Sequence, residues 1–149
     1  MDKRGAMFAA LICFLFVAFP AIAEVHWLKL DEGLKMGVSQ HKPVIVDFFY
    51  GKGCPRCEFL QTKVYDNAAI GKKISDNFVP VRVDLSKKLS ADETAFGNRF
   101  DFKNDCLLLF LDHNGKLIKG PGGKKLSFVD SLEPEQFMKH LDFIMEGYK

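Results

Sequence analysis

Pro43 and Gly51 enclose the run Val44-Ile45-Val46-Asp47-Phe48-Phe49-Tyr50, in which every residue but Asp47 is β-branched or aromatic. A run of strand length without polar alternation reads as a strand covered on both faces, with helices above and below the sheet it belongs to. Phe78-Val79-Pro80-Val81-Arg82-Val83-Asp84 is a second strand, in which Pro80 is tolerated only if its missing N–H faces no partner. Leu107 to Leu111 is a third. The acid inside the first run calls for an explanation.

Helical periods fill the gaps between these runs. From Val25 to Gln40, the residues Trp27, Leu30, Leu34 and Val38 recur at three- or four-residue steps and predict a helix with that face inward, stopped by Lys42-Pro43. Cys54 to Tyr65 carries Cys57, Leu60 and Val64 at helical spacing, and shorter helices are expected from Ala68 to Ser75 and from Ala91 to Phe100. Asp112-His113-Asn114-Gly115 predicts a tight turn whose Asn-Gly supplies positive φ angles, so that Lys116 to Lys119 returns antiparallel. Glu133-Pro134 begins a last helix, reaching about Met145, with Phe137, Leu141 and Ile144 or Met145 on one face. Strands separated by helices imply parallel crossovers, and the hairpin adds an antiparallel edge. The fold class is α/β, a central mixed sheet flanked by helices.

The N-terminus is different in kind. Lys3 and Arg4 precede a continuously apolar run from Ala6 to Phe19, and Pro20-Ala21-Ile22-Ala23 ends it with small residues where a signal peptidase reads. Residues 1–23 are therefore expected to be a signal peptide, the alternative being an uncleaved anchor. That leaves 24–149 as one exported, periplasmic domain with no stable membrane insertion after cleavage. Twenty-one Lys and Arg against nineteen Asp and Glu, interspersed along the chain, argue against a nucleic-acid partner. Cleavage would also remove Cys13. The remaining Cys54, Cys57 and Cys106 are odd in number, which argues against a purely structural disulfide scaffold.

Cys54 follows Gly51-Lys52-Gly53 at a strand-to-helix junction, where the unpaired N–H groups of a helix N-terminus stabilise a thiolate. Cys57 stands one turn on and can close a short disulfide with it. Pro55 suits the first helical position, and Arg56 sets a cation beside the sulfurs. Any group that favours the reduced thiolate makes the couple more oxidising. Thiol-disulfide exchange needs this arrangement: Cys54 attacks or is attacked, and Cys57 resolves the mixed disulfide. An inert disulfide and half of a metal site are the alternatives, since Cys-x-x-Cys is also a zinc spacing.

From Lys42 to Phe48 and on to Cys54-Pro55-Arg56-Cys57, the chain resembles the active-site strand and helix of thioredoxin-like proteins, most closely short periplasmic ones and the C-terminal domain of DsbD-type disulfide reductases. The resemblance continues through Asn77 to Asp84, Phe110 to Lys116 and Leu132 to Phe137. It implies a thioredoxin fold, a monomer, no cofactor, and partners that are protein thiols and disulfides together with an upstream redox protein. Asp47 matches the family's buried acid, which helps take the proton from the second cysteine; a strand-end acid bonded to backbone is the other account of it. Gly51-Lys52-Gly53 makes the approach to Cys54 one residue longer than in thioredoxin, with Gly53 in place of the usual tryptophan.

The larger departure is at Asp105-Cys106, where the family pattern places a cis-proline facing the dithiol. The bond between these two residues is expected to be trans, because a non-proline cis bond costs about 3 kcal/mol. Cys106 is then a small buried hydrophobe, a third redox thiol, or a third ligand for a soft metal such as Cu(I) or for an iron–sulfur cluster shared between two chains. His26, His41, His113 and His140 are read as solvated surface positions. The fifteen phenylalanines are read mostly as core, those near the cysteines being available to line a groove for an unfolded substrate.

Overall fold

A computed structural model describes residues 24–148 of the chain. The expected signal peptide, 1–23, lies outside the described residues. Among those described, no helix is long and apolar enough to cross a membrane.

Three buried strands form the centre: β1 (Val44–Phe49), β2 (Val79–Asp84) and β3 (Leu107–Leu111). A two-residue β4 (Ser127–Phe128) completes a mixed sheet of order β2-β1-β3-β4, in which β1 and β2 are parallel and the β1–β3 and β3–β4 pairs antiparallel. The alternation of side chains divides the sheet into two apolar layers. On one face Val44, Val46, Phe48, Val79, Val81, Val83, Leu107, Leu109 and Leu111 pack under α1 (Leu30–Gln40) and α4 (Ala91–Asn98). On the other, Ile45, Leu108 and Phe110 pack under α3 (Ala68–Asn77), α5 (Pro134–Glu146) and the helix that starts at Cys54. Asp47 and Arg82 are register partners on this second face.

The parallel crossover expected before Leu107 is not made. β3 runs antiparallel to β1, with Phe48 opposite Leu107 and Val44 opposite Leu111. The connection through α4 leaves and re-enters at the same end of the sheet, so residue 106 lies beside the end of β1 that leads to Cys54.

The N-terminal helix begins at Leu30, not Val25. The preceding segment is held as an extra strand rung, since the Leu28 N–H donates to the Pro80 carbonyl (2.9 Å) and the Leu28 carbonyl accepts from the Arg82 N–H (3.0 Å). By the same alternation the missing N–H of Pro80 points to this outer edge and deprives no neighbouring strand. Val38, expected inward, is 59% exposed. The inward face of α1 runs instead through Leu30, Gly33 and Gly37. The glycines let the helix axis approach the sheet so closely that a Cβ on Gly37 would stand 2.6 Å from Val44 Cγ2.

The turn after β3 is closed by the Asp112 carboxylate, which accepts from the Asn114 and Lys116 N–H groups at 2.8 and 2.9 Å. Gly115 takes a positive φ and Asn114 does not. Lys116–Lys119 does return antiparallel, with Leu117 bridging Leu111 and the Ile118 N–H donating to the Phe110 carbonyl; Lys119 then bridges Lys125, and Leu126 to Phe128 takes the place beside β3. The expectation for the histidines holds for His26 and His41, which are exposed, and not for His113 and His140. His41 and His113 stack at 3.8 Å between centroids beside Tyr148, at the end of the sheet away from the cysteines, and half-buried His140 packs on Phe110 and Phe128. Burial first, and then the Lys124 charge, lowers the pKa of His140.

Candidate active site

Beyond β1 the chain passes through Gly51 and Gly53, both at positive φ (84° and 88°), a conformation that favours glycine. Glu58 reaches back to accept from the Gly53 N–H at 2.8 Å. Cys54 is itself the N-cap of α2 (Pro55–Phe59): its Sγ accepts from the Cys57 N–H at 3.2 Å, and Pro55 occupies the first helical position, as expected. The helix continues as a π-helix over Leu60–Tyr65. The wider turn lets consecutive Val64 and Tyr65 both face inward, with Cys57 and Leu60 buried on the same side as anticipated.

Cys54 is half-buried and Cys57 wholly buried (0% exposed). Half-buried Cys106 joins them from the loop that leads into β3, with Sγ–Sγ separations of 3.4 Å to Cys54 and 3.3 Å to Cys57. All three sulfurs lie within 4.8 Å of one another. Among the described residues there is no cis peptide bond, so Asp105–Cys106 is trans. Asp105 is exposed; the loop before Cys106 is held by Asn104 at a positive φ of 61°, its carbonyl accepting from the Tyr50 hydroxyl at 3.2 Å.

Burial opposes ionisation of Cys57, but hydrogen bonds from the Cys54 thiol, the Gly51 backbone and the Cys106 thiol hold its pKa below the ordinary cysteine value. Cys106 is pushed the other way, up to about 12, by burial and then by its hydrogen bonds to Cys57 and Cys54. Cys106 therefore keeps its proton longer than Cys57 does.

Asp47 is completely buried and its carboxylate is fully engaged. One oxygen accepts from the Tyr65 hydroxyl at 2.7 Å, and the other faces Arg56 Nη1 at 3.4 Å. Burial raises the carboxyl pKa; the Arg56 charge, the Tyr65 hydrogen bond and the Arg82 charge oppose this without overcoming it. Arg56 is therefore not a free surface cation: its side chain is 12% exposed, with Nε directed at the Asp130 carbonyl.

Two participants were not foreseen. Arg82 stacks over Trp27 and Phe49 (4.1 and 3.8 Å to the ring centroids) and donates to the Gln61 side chain at 3.1 Å. Tyr65 packs edge-on against Trp27. A cation inside a both-face-buried strand was the visible sign of Arg82; nothing in the sequence marked Tyr65 before the helix was placed.

A family profile described as thioredoxin-like matches residues 26–106. The chain belongs to the thioredoxin-like family. Solved structures agree at the level of the fold. The DsbH oxidoreductase superposes with a TM-score of 0.64 at 15% identity, covering 97% of this chain and 95% of that one. A thioredoxin from Thermus thermophilus gives 0.61 at 18% identity, with 82% and 88% covered. Poplar thioredoxin h gives 0.53 at 18%, with 83% and 97% covered. A comparison with curated proteins returns no match. In this thioredoxin-like chain the strand, helix N-terminus and opposing loop converge on Cys54, Cys57 and Cys106.

Proposed function

We propose that the chain is an exported thiol-disulfide oxidoreductase that exchanges disulfides with protein substrates in the periplasm through Cys54 and Cys57. One observation carries this reading: a reachable sulfur caps a helix N-terminus while a buried sulfur one turn on lies within 4.8 Å of it. In the reducing direction the Cys54 thiolate attacks a substrate disulfide. A Cys54–substrate S–S bond forms, the substrate bond breaks, and one substrate sulfur leaves and takes up a proton. Cys57 then attacks Cys54 Sγ, forming the Cys54–Cys57 disulfide and releasing the second substrate sulfur. Two electrons pass to the substrate, and a dithiol protein upstream returns them.

Asp47 is a positioning residue in this scheme. Its carboxylate holds Arg56 between the two cysteines, and its raised pKa suits it to buffering the proton that Cys57 gives up. Insulin-disulfide reduction by the purified domain tests the proposal. Turnover that disappears in Cys54→Ser, with a stable mixed disulfide accumulating in Cys57→Ser, is the expected result; no turnover and no trapped adduct refutes it.

A further inference from the structure

We propose that Cys54, Cys57 and Cys106 together form a trigonal all-sulfur site for one Cu(I) ion. The site needs no rearrangement of the fold. A soft metal about 2.3 Å from three coplanar sulfurs holds them about 4.0 Å apart. The two short separations, 3.4 and 3.3 Å, need to open by roughly 0.6 to 0.7 Å, and every pair is already within 4.8 Å.

The donor set selects the ion. Among the described residues the group consists of three cysteines and no His, Asp or Glu. Three thiolates suit a soft ion content with low coordination, whereas zinc in closed protein sites takes four ligands. The buried Asp47 carboxylate is occupied by Arg56 and Tyr65. Charge is also provided for. Three thiolates and Cu(I) carry a net charge of −2, and the largely enclosed Arg56, whose charge acts on Cys106 and whose Nη2 has no partner among the described residues, offsets part of it. Binding exchanges the remaining thiol protons for the metal and involves no electron transfer. Because the same sulfurs serve both roles, an occupied site cannot exchange disulfides.

The test supplies Cu(I), not Cu(II), since Cu(II) would oxidise the dithiol. Fully reduced protein, residues 24–149, is titrated anaerobically with Cu(I) in competition with bathocuproine disulfonate. Copper coordination is read by X-ray absorption and particle mass by sedimentation. The expectation is one Cu(I) per chain, three sulfur neighbours, and an unchanged monomer mass. Cys106→Ser should weaken binding by roughly tenfold or more and leave two sulfur neighbours. Equal affinity in both proteins, two sulfurs in the wild type, or copper shared between two chains overturns the proposal. If Cys106→Ser does not fold, the wild-type coordination number decides alone. Insulin reduction by the metal-free wild type is scored separately. Failure there removes the oxidoreductase assignment and leaves the copper result standing, and the reverse also holds.

Discussion

Tyr65→Phe isolates the buried network from the sulfurs. The ring keeps its contacts with Trp27 and Phe137, at centroid distances of 4.8 and 5.9 Å, so no cavity larger than one oxygen is made. What is lost is the 2.7 Å hydrogen bond to an Asp47 oxygen in a residue with no exposure to water. A hydrogen bond to a charged group contributes about 1.5–3 kcal/mol, and leaving its buried partner unsatisfied puts the cost toward the upper half of that range, about 2–3 kcal/mol near neutral pH. With a urea m-value of about 1.5 kcal/mol/M, the unfolding midpoint falls by roughly 1.5 M. The loss also has a pH signature. The Asp47 carboxyl holds its proton more tightly folded than unfolded, so its contribution is fully present below the ordinary aspartate pKa of about 3.9 and is lost as pH rises through the raised folded value. The Tyr65 bond limits that rise, and removing it pushes the folded pKa up further. The stability gap between wild type and variant therefore widens with pH through the Asp47 titration and narrows below it. Urea unfolding across pH 4 to 8 reads both quantities. A gap under about 0.5 kcal/mol, or one independent of pH, would refute the account of Asp47 as a buried, hydroxyl-anchored acid.

Three further outcomes are expected. Limiting alkylation of the reduced protein near neutral pH should label Cys54 ahead of Cys57, because access outweighs the lowered pKa of a sulfur with no exposed surface; peptide mass mapping that finds Cys57 labelled first reverses the assignment. Asp47→Asn should slow release of the mixed disulfide near neutral pH and flatten the pH dependence of that step, whereas unchanged release with altered stability alone makes Asp47 purely structural. Gly33→Ala should destabilise the protein by about 1–3 kcal/mol in denaturant titration, because the added Cβ would overlap Val81 Cγ2; a neutral effect would mean that α1 can lift from β2 without cost.

Composition and periodicity by themselves determined the strands, the helix that begins at the cysteine pair, and the α/β class. Runs such as Val44–Tyr50 can be buried only on both faces, and the Pro55 N1 position follows from local backbone chemistry alone. The thiol pair was legible for the same reason: three residues of separation across a helix start is a local fact. Long-range pairing was not legible. The antiparallel sense of β3, which carries Cys106 to the sulfurs, depends on where the chain re-enters the sheet after α4, and no local period records that. Start and stop signals misplaced α1 because Leu28 is recruited to the edge of β2 by hydrogen bonds to residues more than fifty positions away. Arg56 read only as a cation beside the sulfurs, and its partner Asp47, nine residues back and on another element, came from the tertiary structure. Tyr65 and Arg82 entered the site only when sheet register and the π turn placed them on the same face as Asp47. A buried charge is tolerable only when partners arrive from several elements at once, so its surroundings are a property of the tertiary structure even where the charge itself is plain in the sequence.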